Sequence, residues 1–103
     1  MPTVNIYSRR KAFDDALIRS LKKKLIEQLS CKEIRLQANE ISIRTIETND
    51  AYMIAEIECE IKAHNFPERV VRQDDICNEV RKFLLDELPQ CRDARVWLIL
   101  SEL

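Results

Sequence analysis

Glycine is absent from all 103 residues. Phosphate-cradling loops use glycines for tight turns and close backbone approach, so P-loop and dinucleotide-binding motifs are excluded. Histidine occurs once, at His64, and the four cysteines, Cys31, Cys59, Cys77 and Cys91, form no C-x-x-C pair. A zinc site has little support on that spacing, and no metal or cofactor is expected. The cysteines read as reduced thiols in or near the core. No Ser-His-Asp pattern stands out. Apolar runs fall short of the roughly 18 residues that a membrane span needs, and the charged N-terminal region lacks signal-peptide character. A cytoplasmic protein is expected. Formal net charge is −1. No overall field therefore favours nucleic acid or an anionic membrane, and neither is expected as a partner. The Lys22-Lys23-Lys24 run reads as the solvated face of a helix.

The length suits one domain spanning residues 1–103, large enough to bury a core. Met1-Pro2-Thr3-Val4-Asn5-Ile6-Tyr7 reads as a first strand with Val4 and Ile6 on its apolar face. A helix from about Ala12 to Ser30 follows, because Phe13, Leu17, Leu21, Leu25 and Leu29 recur every four residues. A second strand runs from about Glu40 to Glu47, then a turn at Thr48-Asn49-Asp50. The third strand is placed from about Ala51 to Lys62, with Met53, Ala55, Ile57, Cys59 and Ile61 on its apolar face. Pro67 suits the first turn of a second helix, whose buried stripe is read as Val70, Cys77, Val80, Leu84 and Leu88, helped by Ile76 and Phe83. Pro89 stops that helix, and Ala94 to Leu100 form the last strand.

The order β-α-β-β-α-β predicts an α+β two-layer sandwich: a four-stranded mixed sheet with two helices on one face. Its halves, about residues 2–47 and 51–100, have similar lengths and suggest a structural repeat. Val4, Ile6, Ile41, Ile43, Ile57, Ile61, Val96 and Leu98 supply the covered face. The opposite face carries Thr3, Asn5, Tyr7, Glu40, Arg44, Tyr52, Ile54, Glu56, Glu58, Glu60, Arg95, Trp97 and Ile99. Such a mixture of glutamates with a tryptophan suits an oligomer interface with a polar channel better than a plain solvated face.

Pro2 is the residue with distinctive chemistry. Removal of Met1 converts its ring nitrogen from an amide into a secondary amine. An α-amino group titrates near roughly 7.7–8.0, and desolvation lowers the pKa of any cation. A buried terminal proline is then a base near neutral pH.

The chain resembles the tautomerase superfamily, the group that includes macrophage migration inhibitory factor and 5-carboxymethyl-2-hydroxymuconate isomerase. Met1-Pro2 opening directly into an apolar strand, the lengths of the two halves and the closing Val96-Trp97-Leu98-Ile99-Leu100-Ser101-Glu102-Leu103 carry the match. The resemblance implies a homotrimer with active sites at subunit boundaries. There Pro2 shuttles a proton between carbon and oxygen of a small keto or enol acid. It further implies carboxylate binding by Arg10, after the first strand, and by Arg69 and Arg72, at the start of the second helix. Trp97 matches an aromatic that lines a neighbour's pocket. Lys62, near the strand end that approaches Pro2, favours the neutral amine, whereas Glu60 opposes it. Glu40 stands where some members place an arginine, which disfavours a dicarboxylate substrate. Two alternatives accompany this reading: a non-catalytic trimer of the same fold, and a ferredoxin-like module that binds a small ligand or a protein. Strand order separates the last from the others.

Overall fold

The structure is a computed structural model and describes residues 2–9, 13–48 and 53–102. Arg10, Tyr52 and the Asn49-Asp50 turn lie outside these residues. Four strands, β1 (Thr3–Ser8), β2 (Ser42–Glu47), β3 (Ile57–His64) and β4 (Ala94–Ser101), form one sheet. Helix α1 (Asp15–Leu29) joins β1 to β2, while α2 (Pro67–Val71) and α3 (Gln73–Glu87) join β3 to β4. A 3-10 turn at Ala38–Glu40 precedes β2.

The strand order is β2-β1-β3-β4. β1 pairs parallel with β2, β3 pairs parallel with β4, and β1 and β3 run antiparallel at the centre. The α+β sandwich with a four-stranded mixed sheet is therefore as expected. The ferredoxin-like alternative is excluded, because that topology splits each βαβ unit and here each unit closes on adjacent strands.

Strand alternation puts Val4, Ile6, Ile57, Cys59, Ile61, Ala94 and Leu98 under the helices, all buried. Leu21, Leu25 and Leu29 of α1 meet them from above with Ile76, Val80 and Leu84 of α3, in one apolar cluster. Burying a leucine of this kind stabilises by roughly 1.5–3 kcal/mol, so this cluster holds the two layers together.

Several boundaries differ from the sequence reading. β2 starts at Ser42, because Glu40 closes the 3-10 turn by accepting from the Gln37 amide, and Glu40 is therefore not on the open face of the sheet. α1 starts at Asp15 because the Asp14 carboxylate accepts from the Leu17 amide at 2.8 Å and ends the preceding chain as an N-cap. β3 starts at Ile57; Met53 and Ala55 are buried but lie outside the core cluster that Ile57, Cys59 and Ile61 join. The second helix is broken at Arg72, whose φ of −95° and ψ of 12° leave the helical region. The break shifts the phase of the stripe: Val70 is 50% exposed, and Ile76 is the fully buried residue that leads α3 into the core.

Candidate functional site

The register fixes a grid on the face of the sheet turned away from the helices. Ser42, Thr3, Lys62 and Ile99 form one row across the four strands. Arg44, Asn5, Glu60 and Trp97 form the next, and Ile46, Tyr7, Glu58 and Arg95 the third. Three large apolar side chains of this face, Ile46, Trp97 and Ile99, are exposed at 37%, 43% and 44%.

Pro2 stands at one end of the grid. It is buried, and its carbonyl accepts from the Ser42 amide at 3.2 Å, which anchors the chain start to β2. Thr3 pairs with Lys62, so Pro2 lies at the Lys62–His64 end of β3. Lys62 is exposed on the open face, with its ammonium 3.6 Å from Glu60. Glu60 also accepts from the Asn5 amide group at 3.4 Å.

Arg69 reaches the same end of the sheet from the helix layer. It is almost fully buried, its Nε donates to the Leu29 carbonyl at 2.9 Å and its Nη1 to the His64 carbonyl at 3.0 Å. The guanidinium also sits 5.0 Å from the centre of the Phe66 ring, which packs edge-on against His64. Nη2 is buried without an acceptor among the described residues. Burial pushes the Arg69 guanidinium below its usual pKa, while Cys31 and Glu33 pull it back up. Arg72 donates to the Gln28 carbonyl at 3.2 Å and to Gln28 Oε1 at 3.0 Å. Both arginines thus hold the C-terminal end of α1, where carbonyls lack helical partners.

Cys31 and Glu33 belong, with Glu68, to a cluster whose ligand-type atoms lie within 4.8 Å of one another. Glu68 accepts from the Lys32 amide at 3.0 Å, and the charge of Arg69 lies beside Cys31 and Glu33. The cluster therefore already has polar and cationic neighbours.

At the other end of the grid the sheet carries an open groove of about 400 Å³, lined by Tyr7, Ile46, Thr48, Met53, Glu58, Glu60 and Trp97. Trp97 is therefore brought together with Glu60 and Tyr7 within one chain, while Tyr7 lies along β1 from Pro2. The distance is five residue steps, with four residues between, or roughly 16 Å of extended chain. Met53 was not expected here. The chain leaves the pleat before Ile57, and Arg9 Nη2 donates to the Met53 carbonyl at 3.0 Å, which holds the incoming segment over the sheet. The Ile54 amide donates to the Glu58 carboxylate at 3.1 Å and fixes the same segment from below. The unbroken apolar alternation of residues 53–61 hid this departure.

No protein-family model and no curated protein matches the chain. Solved structures do. A macrophage migration inhibitory factor-like protein from Entamoeba histolytica is 10% identical, with a TM-score of 0.66 over 98% of this chain and 89% of that one. A fused 4-OT described as a symmetric trimer is 14% identical, with a TM-score of 0.66 over 97% and 85%. A 5-carboxymethyl-2-hydroxymuconate delta-isomerase is 16% identical, with a TM-score of 0.58 over 99% and 81%. At these identities the likeness is one of fold, and the fold is the tautomerase one that the opening Met-Pro strand and the two βαβ halves resemble.

Proposed function

We propose that the chain, once Met1 is removed, catalyses keto–enol proton transfer on a small carboxylate-bearing substrate, with Pro2 as general acid–base. The observation that carries this reading is the position of Pro2: buried at the mouth of β1, anchored through Ser42, with Lys62 in the neighbouring row. Desolvation favours the neutral amine, and the Lys62 ammonium acts in the same direction while offering a counter-charge to a carboxylate. Neutral Pro2 then takes the proton from the carbon next to the carbonyl and returns it to oxygen, or the reverse. No cofactor is needed.

A homotrimer completes the site in this proposal. The open face, with its exposed Trp97 and Ile99, meets neighbouring copies, and Trp97 is offered to the pocket of an adjacent subunit. The trimeric 4-OT structure supports the assembly by likeness of fold. Within this reading Lys62, the register partner of Thr3, is the cation assigned to the amine. Arg69 and Arg72 contribute to the carboxylate site only if they leave the α1 carbonyls that they hold here.

The test is direct. Mass spectrometry of the natively produced protein is expected to show Met1 removed. Ketonisation of enol-phenylpyruvate is expected to be abolished in Pro2→Ala, and a retained Met1 excludes the mechanism. A second reading, a non-catalytic trimer of this fold, is favoured by the Lys62–Glu60 ion pair, which ties up that cation. It is expected to assemble normally after Pro2 replacement and to turn nothing over.

A further inference from the structure

We propose that the groove at the Tyr7 end of the open face is a binding site for a small organic cation with an apolar body, of the arylalkylammonium class. The chemistry of its lining carries the inference. Two carboxylates, Glu58 and Glu60, stand in successive outward positions of β3. Lys62 meets Glu60 at 3.6 Å and Arg9 holds the Met53 carbonyl, so Glu58 is the lining carboxylate with no ion pair among the described residues. Tyr7 and Trp97 flank them on the neighbouring strands, and Ile46 and Met53 complete an apolar wall. Carboxylates beside aromatic faces form a site with one preferred charge, because both the ring quadrupole and the acids attract a cation. The acids are also held in place: the Ile54 amide donates to Glu58, and the Asn5 amide group donates to Glu60. A volume of about 400 Å³ falls within the range of small-molecule sites.

The groove lies at the opposite end of the grid from Pro2, and Glu60, paired with Lys62, stands between the two. Its lining comes from one chain, and its test does not depend on Pro2 or on Met1 removal. An anionic substrate is repelled here by the same carboxylates that attract an amine.

Trp97 is the single tryptophan of the chain and reports directly on the site. The full-length protein is titrated with phenethylammonium, with neutral 2-phenylethanol and with anionic 3-phenylpropionate, following Trp97 emission. Saturable binding is expected for the cation, at least about tenfold weaker binding for the alcohol, and none for the acid. Glu58→Gln keeps the acceptor for the Ile54 amide and removes the charge. It is expected to weaken phenethylammonium about tenfold. Circular dichroism of the variant checks that it folds, and the three-ligand series on the unmodified protein stands without it. Equal binding of all three ligands, or no saturable change with the cation, overturns the proposal. So does an oligomer that falls apart in Glu58→Gln while phenethylammonium binding is unaltered, since the carboxylate then serves a neighbouring chain's basic side chain.

Discussion

Arg69 Nε donates to the Leu29 carbonyl at 2.9 Å, so a side chain from α2 closes the last turn of α1. The same guanidinium holds the His64 carbonyl at the end of β3. One buried cation therefore links both layers of the sandwich at the Pro2 end. Removing it leaves two carbonyls without their donor. Arg69→Met is expected to cost about 2–4 kcal/mol in urea denaturation, through loss of charge-assisted hydrogen bonds rather than of volume. Arg69→Lys is expected to recover less than half, because an ammonium lacks the planar fork that reaches both acceptors. Arg72→Met, at a more open position, is expected to cost less than Arg69→Met.

The Asp14 cap makes a smaller and more local prediction. Its carboxylate accepts from the Leu17 amide at 2.8 Å and sets the start of α1. Asp14→Ala is expected to lower stability by about 1 kcal/mol. Hydrogen exchange is expected to speed up in the first turn of α1 and to leave α3 unchanged. Equal loosening of both helices would show that the cap acts on the whole fold.

These arginines mark where the sequence stops being informative. Strand alternation was legible: Val4, Ile6, Ile57 and Ile61 are buried, and Glu58, Glu60 and Trp97 share the opposite face, because the period-2 pleat depends only on neighbours. The i, i+3 spacing of Arg69 and Arg72 was legible too. What they face was not, since their acceptors on Leu29 and Gln28 lie 40 and 44 residues away. The exposure of Val70 is hidden in the sequence for a related reason. A helical period carries no mark of the single residue, Arg72, at which the helix restarts with a new phase. The groove was half legible: the sheet supplied Tyr7, Glu58, Glu60 and Trp97, whereas Met53 arrives through a hydrogen bond to Arg9, 44 residues away.

Cys59 predicts an alkaline limit to stability. It is fully buried on β3 between Ile6 and Val96. Burial, then the nearby Cys77 and Glu60, push its thiol up to about 12. An unfolded thiol ionises near roughly 8.5. The folded state thus keeps a proton that the unfolded state releases. Stability from this source is complete below the unfolded pKa and declines as pH rises toward 12, by up to ~1.4 kcal/mol per pH unit. Cys77, also raised by burial, adds to the slope. Denaturation midpoints between pH 8 and 11 are expected to fall less steeply in Cys59→Ala than in the parent. Identical slopes would remove Cys59 as the cause.

The Lys62–Glu60 pair makes the sharpest prediction about the proposed chemistry. Its charges are 3.6 Å apart, and Lys62 faces Thr3, the residue next to Pro2. Pro2 acts as a base only when neutral, so kcat/KM for enol-phenylpyruvate is expected to rise with pH through the pKa of the free amine. A positive neighbour disfavours the protonated amine and a negative one favours it. Lys62→Met removes the positive neighbour and is expected to move that limb to higher pH, by up to about one unit. Glu60→Gln removes the negative one and is expected to move it lower. Opposite shifts tie both charges to the amine, a readout that a loss of folding or of substrate affinity does not produce. Shifts in the same direction, or none, place the catalytic base away from the Thr3–Lys62 row and leave Pro2 as the anchor of β1 alone.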